Sequence, residues 1–332
     1  MDRHNNKSDI PGVGEASPFS LGSETFYRLW REAKLANSPR NLDEIRVPVR
    51  DLAAPGTAER AQILRSIARC NMAIYVSQSA STDESSPARR QDLTGFLAAF
   101  GLRSVEKHRS AEDDGFVAIE VSPMPAKRSF IPYTSRSMNW HTDGYYAAPS
   151  EAIRAMLMHC VRSATTGGEN ALLDPEIAYI RLRDASPKWI AALMHPGAMT
   201  IPASIEEDGS ERPVSIGPVF AIDPRDGNLQ MRYTARGRNI SWRDDADTRA
   251  AATFLEYLLK EGDEPLILKA RLSPGEGLIC NNVLHTRTAF NEEAGSGRLH
   301  YRARFATRVA GTIPVHDSSV GLNFINRNGN HQ

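Results

Sequence analysis

From about residue 116 onward, short apolar runs follow one another with turn residues between them. This density narrows the possible folds more than any other feature of the chain. The runs are "GFVAIEVS", "MNWHTDGYY", "AIRAMLMHCVRS", "PVFAID", "LQMRYTA", "PLILKARL", "GLICNNVLH" and "RLHYRARFATRV". Strands this short and this closely spaced must bury one face against another sheet, which predicts a closed or double-sheet antiparallel architecture of the jelly-roll type. Helical insertions are expected at 175–195 and 247–262.

The segment before it reads differently. Residues 1–22 are polar and rich in Gly, Pro, Ser and Asn, and are expected to form a mobile arm. "SETFYRLWREAKLA" predicts a helix capped by Ser23, with Phe26, Leu29, Trp30 and Ala33 on its apolar face. "TAERAQILRSIARCN" predicts a second helix, in which Thr57 and Arg60 do not make a capping box. "MAIYVSQ" reads as a buried strand, and "SPARRQDLTGFLAAFGL" as a helix that ends near Gly101. No linker or internal repeat divides the chain. The expectation is one domain over 23–310, with an N-terminal α/β cap (23–115), a jelly-roll core (116–310) and a C-terminal tail (311–332) whose last residues, "GNHQ", are frayed.

Lys and Arg number 40, as do Asp and Glu, so no global charge draws the protein to nucleic acid or a membrane surface. Cys70, Cys160 and Cys280 are widely separated and form no CxxC pair, which excludes a zinc ribbon or a disulfide framework and fits a reducing cytoplasm. No 18-residue apolar run occurs. The expected partner is a small molecule, and a homo-oligomer is compatible with the pattern.

One run carries chemistry. In "NWHTDGYY", strand alternation would present the imidazole of His141 and the carboxylate of Asp143 side by side, with Thr142 facing away. That is half of a metal site or a coincidence. A third ligand is available in "SPGEGLICNNVLHTRTAF", where His285 is expected on the same β element as "LIC". Two histidines and one carboxylate make a facial triad, which leaves coordination positions open on a non-haem Fe(II). If the electrons come from 2-oxoglutarate, its distal carboxylate needs a guanidinium fork. In "RLHYRARF", Arg298, His300, Arg302 and Arg304 share one face, while Leu299, Tyr301, Ala303 and Phe305 take the other.

The segments "YTSRSMNWHTDGYY", "LMHCVRSATTGGENALLD" and "SPGEGLICNNVLHTRTAF…GRLHYRARF" resemble the TauD/TfdA superfamily of Fe(II)/2-oxoglutarate dioxygenases, in order and spacing, from about Tyr133 to Phe305. The N-terminal cap matches more loosely. The resemblance implies a double-stranded β-helix (cupin-like jelly roll) with a helical cap. It implies Fe(II), with 2-oxoglutarate and O2 as cosubstrates and with succinate and CO2 released. By position, His141, Asp143 and His285 match the metal triad. Arg298 matches the arginine that grips the 2-oxoglutarate tail, and Asn170 in "GGEN" a polar residue that helps hold it. Arg302 matches the arginine turned towards substrate in taurine dioxygenase, and Tyr133 a cage tyrosine of the γ-butyrobetaine branch.

Two departures count against a trimethylammonium substrate of that branch. Arg304 replaces its later cage aromatic and would repel a quaternary ammonium, and the cysteine-rich zinc module is absent. The basic face favours a small anionic or zwitterionic metabolite, bound by Arg302, Tyr133 and Tyr145. Tyr145 and Tyr146 are expected to roof the pocket, Trp140 to enter the core, Arg287 to brace its loop, and His159 and His195 to be structural. A γ-butyrobetaine-type hydroxylase and a non-catalytic protein that binds metal and 2-oxoglutarate on this fold are the alternatives.

Overall fold

The computed structural model describes residues 17–78, 83–103, 113–124, 127–205, 211–236, 240–260, 264–292 and 297–311. Ten strands position the site. In the first half of the chain these are β1 (Arg46–Val49), β2 (Met72–Ser77), β3 (Val117–Glu120), β4 (Met138–His141) and β5 (Ala155–Arg162). The second half supplies β6 (Asn170–Leu173), β7 (Leu268–Ala270), β8 (Glu276–Cys280), β9 (Leu284–Arg287) and β10 (Leu299–Phe305). The helices are α1 (Glu24–Asn37), α2 (Thr57–Cys70), α3 (Pro87–Ala99), α4 (Pro175–Ala185), α5 (Pro187–Leu193) and α6 (Ala246–Lys260).

A six-stranded sheet runs β1-β2-β8-β5-β10-β3, and a four-stranded sheet runs β7-β6-β9-β4. Every pair is antiparallel except β1 with β2, which are parallel because α2 makes the crossover between them. The two sheets face each other. Ile74, Met156, Cys160, Leu278 and Cys280 of the larger sheet pack with Leu172, Leu268 and Ala270 of the smaller. Alternation sends the other side chains outward. Ala155, Leu157, Val161, Ile279, Tyr301, Ala303 and Phe305 meet Ile63, Ile67, Leu93, Phe96 and Leu97 of α2 and α3. Behind the smaller sheet, Trp140, Leu173 and Leu284 meet α4, α5 and α6. This arrangement agrees with the jelly-roll expectation.

The expected N-terminal cap is not a separate layer. β1 and β2 belong to the larger sheet, α2 and α3 cover its outer face, and α1 packs on the opposite side of the molecule against α4. Of the expected arm, residues 1–16 lie outside the described residues, as do 312–332 of the tail. Residues 17–22 are packed: Phe19 is fully buried, edge-on to Trp30 and Tyr179 at 5.1 and 5.4 Å, because the aromatic side chain finds a hydrophobic socket that its polar neighbours in sequence conceal.

Several local expectations shift. α1 buries Tyr27, Trp30 and Lys34, whereas Phe26 and Leu29 are exposed and Ala33 also faces solvent. Lys34 wins the inward place because its ammonium lies 2.6 Å from Asp174 and 2.5 Å from Glu176. Burial opposes its charge, but the two carboxylates outweigh burial and hold its pKa above the ordinary value. Ser23 occupies the cap position of α1 without a side-chain bond. At α2 the cap is Gly56, one residue earlier than expected, so Glu59 reaches back to the Gly56 N–H at 2.7 Å.

The largest local difference lies in "LICNNVLH". It is two strands in two sheets: β8 ends at Cys280 and β9 begins at Leu284. Asn281 and Asn282 make the crossing, and Asn282 has φ 51, a left-handed conformation that asparagine tolerates better than branched residues.

Candidate metal centre

His141 ends β4, and Asp143 follows in a turn rather than on the strand, so the two are not presented by strand alternation. The turn closes at Gly144, with φ +68, where a Cβ would lie 2.4 Å from Ile153 Cγ1. His285 comes from the neighbouring strand, in direct register with His141. Ligand atoms of His141, Asp143 and His285 all lie within 4.8 Å of one another, and the three residues are buried. The imidazole centroids are 4.2 Å apart, and His141 Nε2 is 4.0 Å from Asp143 Oδ1.

The hydrogen bonds around this group fit a cation. Nδ1 of His141 faces the Asn139 carbonyl at 2.8 Å, and Nδ1 of His285 faces the Val283 carbonyl at 2.9 Å. A carbonyl only accepts, so each Nδ1 carries the proton and each Nε2 keeps its lone pair. Asp143 Oδ1 accepts from Arg302 Nη1 at 3.3 Å, while Oδ2 is buried with no hydrogen-bond partner. Burial and the neighbouring His285 lower the His141 pKa to about 3, and burial lowers that of His285. Burial would raise the Asp143 pKa, but the guanidinium groups of Arg302 and Arg304 prevail and hold it well below the usual carboxylate range. Near neutral pH this is an anionic carboxylate flanked by two neutral imidazoles, the donor set that a divalent cation takes. Oδ2 and the two Nε2 atoms are available to it.

A prediction follows from the depressed histidine pKa values. Protons compete with metal only where the imidazoles titrate, which is about 3 for His141 and below the ordinary value for His285. Mn(II) affinity, measured by titration in the metal-free protein, is expected to change by less than about threefold between pH 8 and pH 6. Two imidazoles at the ordinary value would lose roughly fifteenfold over that range.

β10 carries His300, Arg302 and Arg304 on the face opposite to Tyr301 and Phe305, Arg298 immediately precedes the strand, and all four are buried. Burial lowers the Arg298 pKa to about 10, which leaves it charged at neutral pH. Its guanidinium lies over the Phe290 ring at 5.4 Å. The Gly167–Gly168 turn, with φ of +72 and +70, comes close beside it: a Cβ on Gly168 would sit 3.9 Å from Arg298 Nε. Asn170, just beyond that turn, donates to the Ala270 carbonyl at 3.4 Å. It lines a narrow cleft between the sheets with His285, Met156, Met158 and Leu172. The turn and the strand thus bring Asn170 and Arg298 to the same region.

The aromatic residues divide. Trp140 enters the core behind the smaller sheet. Tyr145 stands edge-on to His141 with centroids 6.2 Å apart, and Tyr146 stands edge-on to Tyr145 at 5.3 Å. Tyr146 also accepts a hydrogen bond from Arg304 Nη1 at 2.9 Å. Tyr133 packs with Phe130, Val117 and Ile119, and the latter two are the register partners of Arg302 and His300. Arg287 donates to the carbonyls of Thr134 and Arg136 at 2.8 and 2.6 Å, which is the bracing expected of it. His159 lies between Tyr75 and Glu84 in a buried network, and His195 Nδ1 accepts from the Gly197 N–H.

Two residues near the site carry no sequence expectation of a role. Asn282 accepts from the Asp143 N–H at 2.8 Å and donates to the Asp143 carbonyl at 3.0 Å and the Ile153 carbonyl at 2.8 Å. Its signal was the polar pair interrupting an otherwise apolar run. His300 is buried between Arg298 and Arg302 with Nδ1 unpartnered, and strand alternation alone had placed it there.

A jelly roll with two histidines and one aspartate drawn together by adjoining strands defines the architecture of the mononuclear facial-triad oxygenases. The family described as taurine catabolism dioxygenase TauD, TfdA family matches residues 81–304, and the chain belongs to it. Among curated proteins, a uridine-5'-phosphate dioxygenase of an Amycolatopsis species is 30% identical over 181 residues, covering 52% of this chain and 62% of that protein. One from a Streptomyces species is 28% identical over 180 residues, with the same coverage of 52% and 62%. The match thus spans 62% of the length of these relatives. Among solved structures, asparagine oxygenase with Fe(II), 2S,3S-3-hydroxyasparagine and succinate aligns at TM-score 0.53 and 16% identity, covering 75% of this chain and 79% of that one. The non-heme iron oxygenase OrfP, with Fe, succinate and (3S)-hydroxy-L-Arg, aligns at TM-score 0.55 and 16% identity, covering 75% and 83%. These likenesses are of fold.

Proposed function

We propose that the protein is an Fe(II)- and 2-oxoglutarate-dependent oxygenase that hydroxylates an aliphatic C–H of a small anionic or zwitterionic metabolite. The observation that carries this is the buried cluster of His141, Asp143 and His285, with both Nδ1 atoms locked on carbonyls and one aspartate oxygen left unpaired. These three side chains hold the metal. Bound Fe(II), with 2-oxoglutarate and O2, supplies C–H hydroxylation with release of succinate and CO2. Arg298 grips the distal carboxylate of 2-oxoglutarate through its fork, with Asn170 assisting. Burial strengthens that grip by excluding water from the competing hydrogen bonds.

Arg302 and Arg304 bias the pocket towards negative charge, and Tyr145 covers the metal side next to His141. Tyr133 packs on Val117 and Ile119 of β3, which pair with the basic strand. The two curated relatives are named for uridine 5'-phosphate, which is an anion. The solved relatives hold hydroxylated asparagine or arginine, which are amino acids. Both classes fall within the proposed substrate range. A trimethylammonium substrate is disfavoured by the buried guanidinium of Arg304. Among the described residues no helix is long and apolar enough to cross a membrane, and the three cysteines are buried and free. We place the protein in a reducing cytoplasm.

The test is anaerobic titration with Fe(II), with and without 2-oxoglutarate, read by the visible metal-to-ligand charge-transfer band. The band is expected only when both are present. Folded protein that takes up iron without developing it overturns the assignment. Arg302→Ala is expected to raise KM for the substrate by tenfold or more, about 1.4 kcal/mol or above, while that for 2-oxoglutarate changes little. The opposite pattern, read in steady-state succinate release, would exchange the roles of Arg302 and Arg298.

A further inference from the structure

Two buried groups beside the metal centre are complementary and yet joined by a single bond. Asp143 Oδ2 has no hydrogen-bond partner, and neither does Arg302 Nε. The same two side chains already touch through Oδ1 and Nη1 at 3.3 Å. An arginine and a carboxylate this close ordinarily form a two-bond fork, here through Nη1 and Nη2, which would satisfy Oδ2, while Nε lies on the other edge of the guanidinium. Something keeps the carboxylate from turning onto the guanidinium. The only strong hold on Asp143 among its described contacts is Asn282, which bonds its N–H at 2.8 Å and its carbonyl at 3.0 Å.

Asn282 is itself fixed. Its amide also donates to the Ile153 carbonyl, and Ile153 presses on the Gly144 side of the same turn. Its neighbour Asn281 is anchored in the other direction. The Asn281 side chain donates to Asn71 Oδ1 at 3.2 Å and accepts from the Val309 N–H at 3.1 Å, and its N–H donates to the Asn71 carbonyl at 2.8 Å. The crossover between the sheets is thus tied to the scaffold at Asn281 and to the aspartate turn at Asn282. His285 follows three residues later on the same segment.

We propose that Asn282 is a positioning residue that withholds Asp143 from Arg302. By pinning the main chain of Asp143 on both sides, it keeps the contact with Arg302 to one bond and reserves Oδ2 for the metal. One short segment then sets two ligands: it carries His285 and fixes the place of Asp143. This rests on the reading of His141, Asp143 and His285 as the metal site.

The experiment compares Mn(II) affinity in wild type, Asn282→Gly, Arg302→Gln and the double variant, without cosubstrate or turnover. Glycine adopts the positive φ of Asn282 readily, so that substitution removes the side-chain bonds without straining the backbone. Asn282→Gly is expected to weaken Mn(II) binding by about tenfold or more, in the range of lost outer-shell partners of metal ligands. Adding Arg302→Gln should recover most of that loss, beyond whatever Arg302→Gln does in the wild-type background. A merely structural role for Asn282 predicts no such recovery.

Asn282→Ser serves as the second variant, because its neutral hydroxyl keeps donor and acceptor capacity but cannot replace all three bonds. Its expected loss is intermediate, and it carries the same comparison should the glycine variant not fold. Affinity in the Asn282 variants within twofold of wild type, or a loss that Arg302→Gln does not relieve, overturns the proposal and leaves the metal site standing. Failure of the wild type to bind Mn(II) overturns the metal reading itself.

Discussion

Replacing His141 by alanine is expected to abolish the charge-transfer band at stoichiometric Fe(II) and to drop turnover by at least about three orders of magnitude. The reaction class has no chemistry to fall back on without the metal. The reason is geometric. His141 and His285 stand in register on paired strands, and Asp143 is held in the following turn, so the open set has no spare ligand nearby among the described residues. Removing one of three donors leaves a two-ligand site beside the positive charge of Arg302, which repels a cation. The fold should survive, because the His141 ring contacts its ligand partners and Tyr145 rather than the main hydrophobic clusters. Undiminished substrate-dependent succinate release in a folded His141→Ala protein would remove His141 from the ligand set.

Arg298→Leu is expected to raise KM for 2-oxoglutarate by roughly 30- to 1000-fold, the cost of about 2–4 kcal/mol for truncating one partner of a buried, hydrogen-bonded charge pair. Fe(II) affinity in the absence of cosubstrate should change little, because Arg298 lies beside the Gly168 turn and the ligand side chains bond to Asn139, Val283 and Arg302 instead. Direct binding of 2-oxoglutarate to the Fe(II) protein, followed by the band, separates these effects. Both residues are assigned to the same carboxylate, so a combined Asn170→Ala, Arg298→Leu protein should lose less than the two single losses added together. A KM for 2-oxoglutarate within threefold of wild type would show that another cation holds the distal carboxylate.

The residues of the candidate site were legible before the fold. His141, Asp143, His285, Arg298, Asn170 and Arg302 stand in the blocks that carry the resemblance to the TauD/TfdA family, whose model matches residues 81–304. The alternation of β10 was legible for the same reason that any strand is: its period is two, and polar and apolar residues strictly alternate over 298–305. Trp140 in the core and Arg287 as a brace also follow from local pattern.

What misled was apolar pattern without its partner. Phe26 and Leu29 of α1 read as the buried face, yet Lys34 takes the inward position because Asp174 and Glu176, some 140 residues later in the chain, are there to receive it. Phe19 sits in a polar stretch and is fully buried because Trp30 and Tyr179 make its socket. "LICNNVLH" reads as one β element and is two, because the strands before and after Asn281–Asn282 pair with different neighbours.

The sequence by itself determined which side chains could carry the chemistry, since residue type and order along the chain are local facts. Only the tertiary structure decided how they meet. Register between β4 and β9 brings the imidazoles together, a turn rather than a strand carries Asp143, and the asparagine crossover holds that turn against a competing arginine. Those relations depend on hydrogen bonds across 139 or more positions of sequence, and no local preference of the chain encodes them.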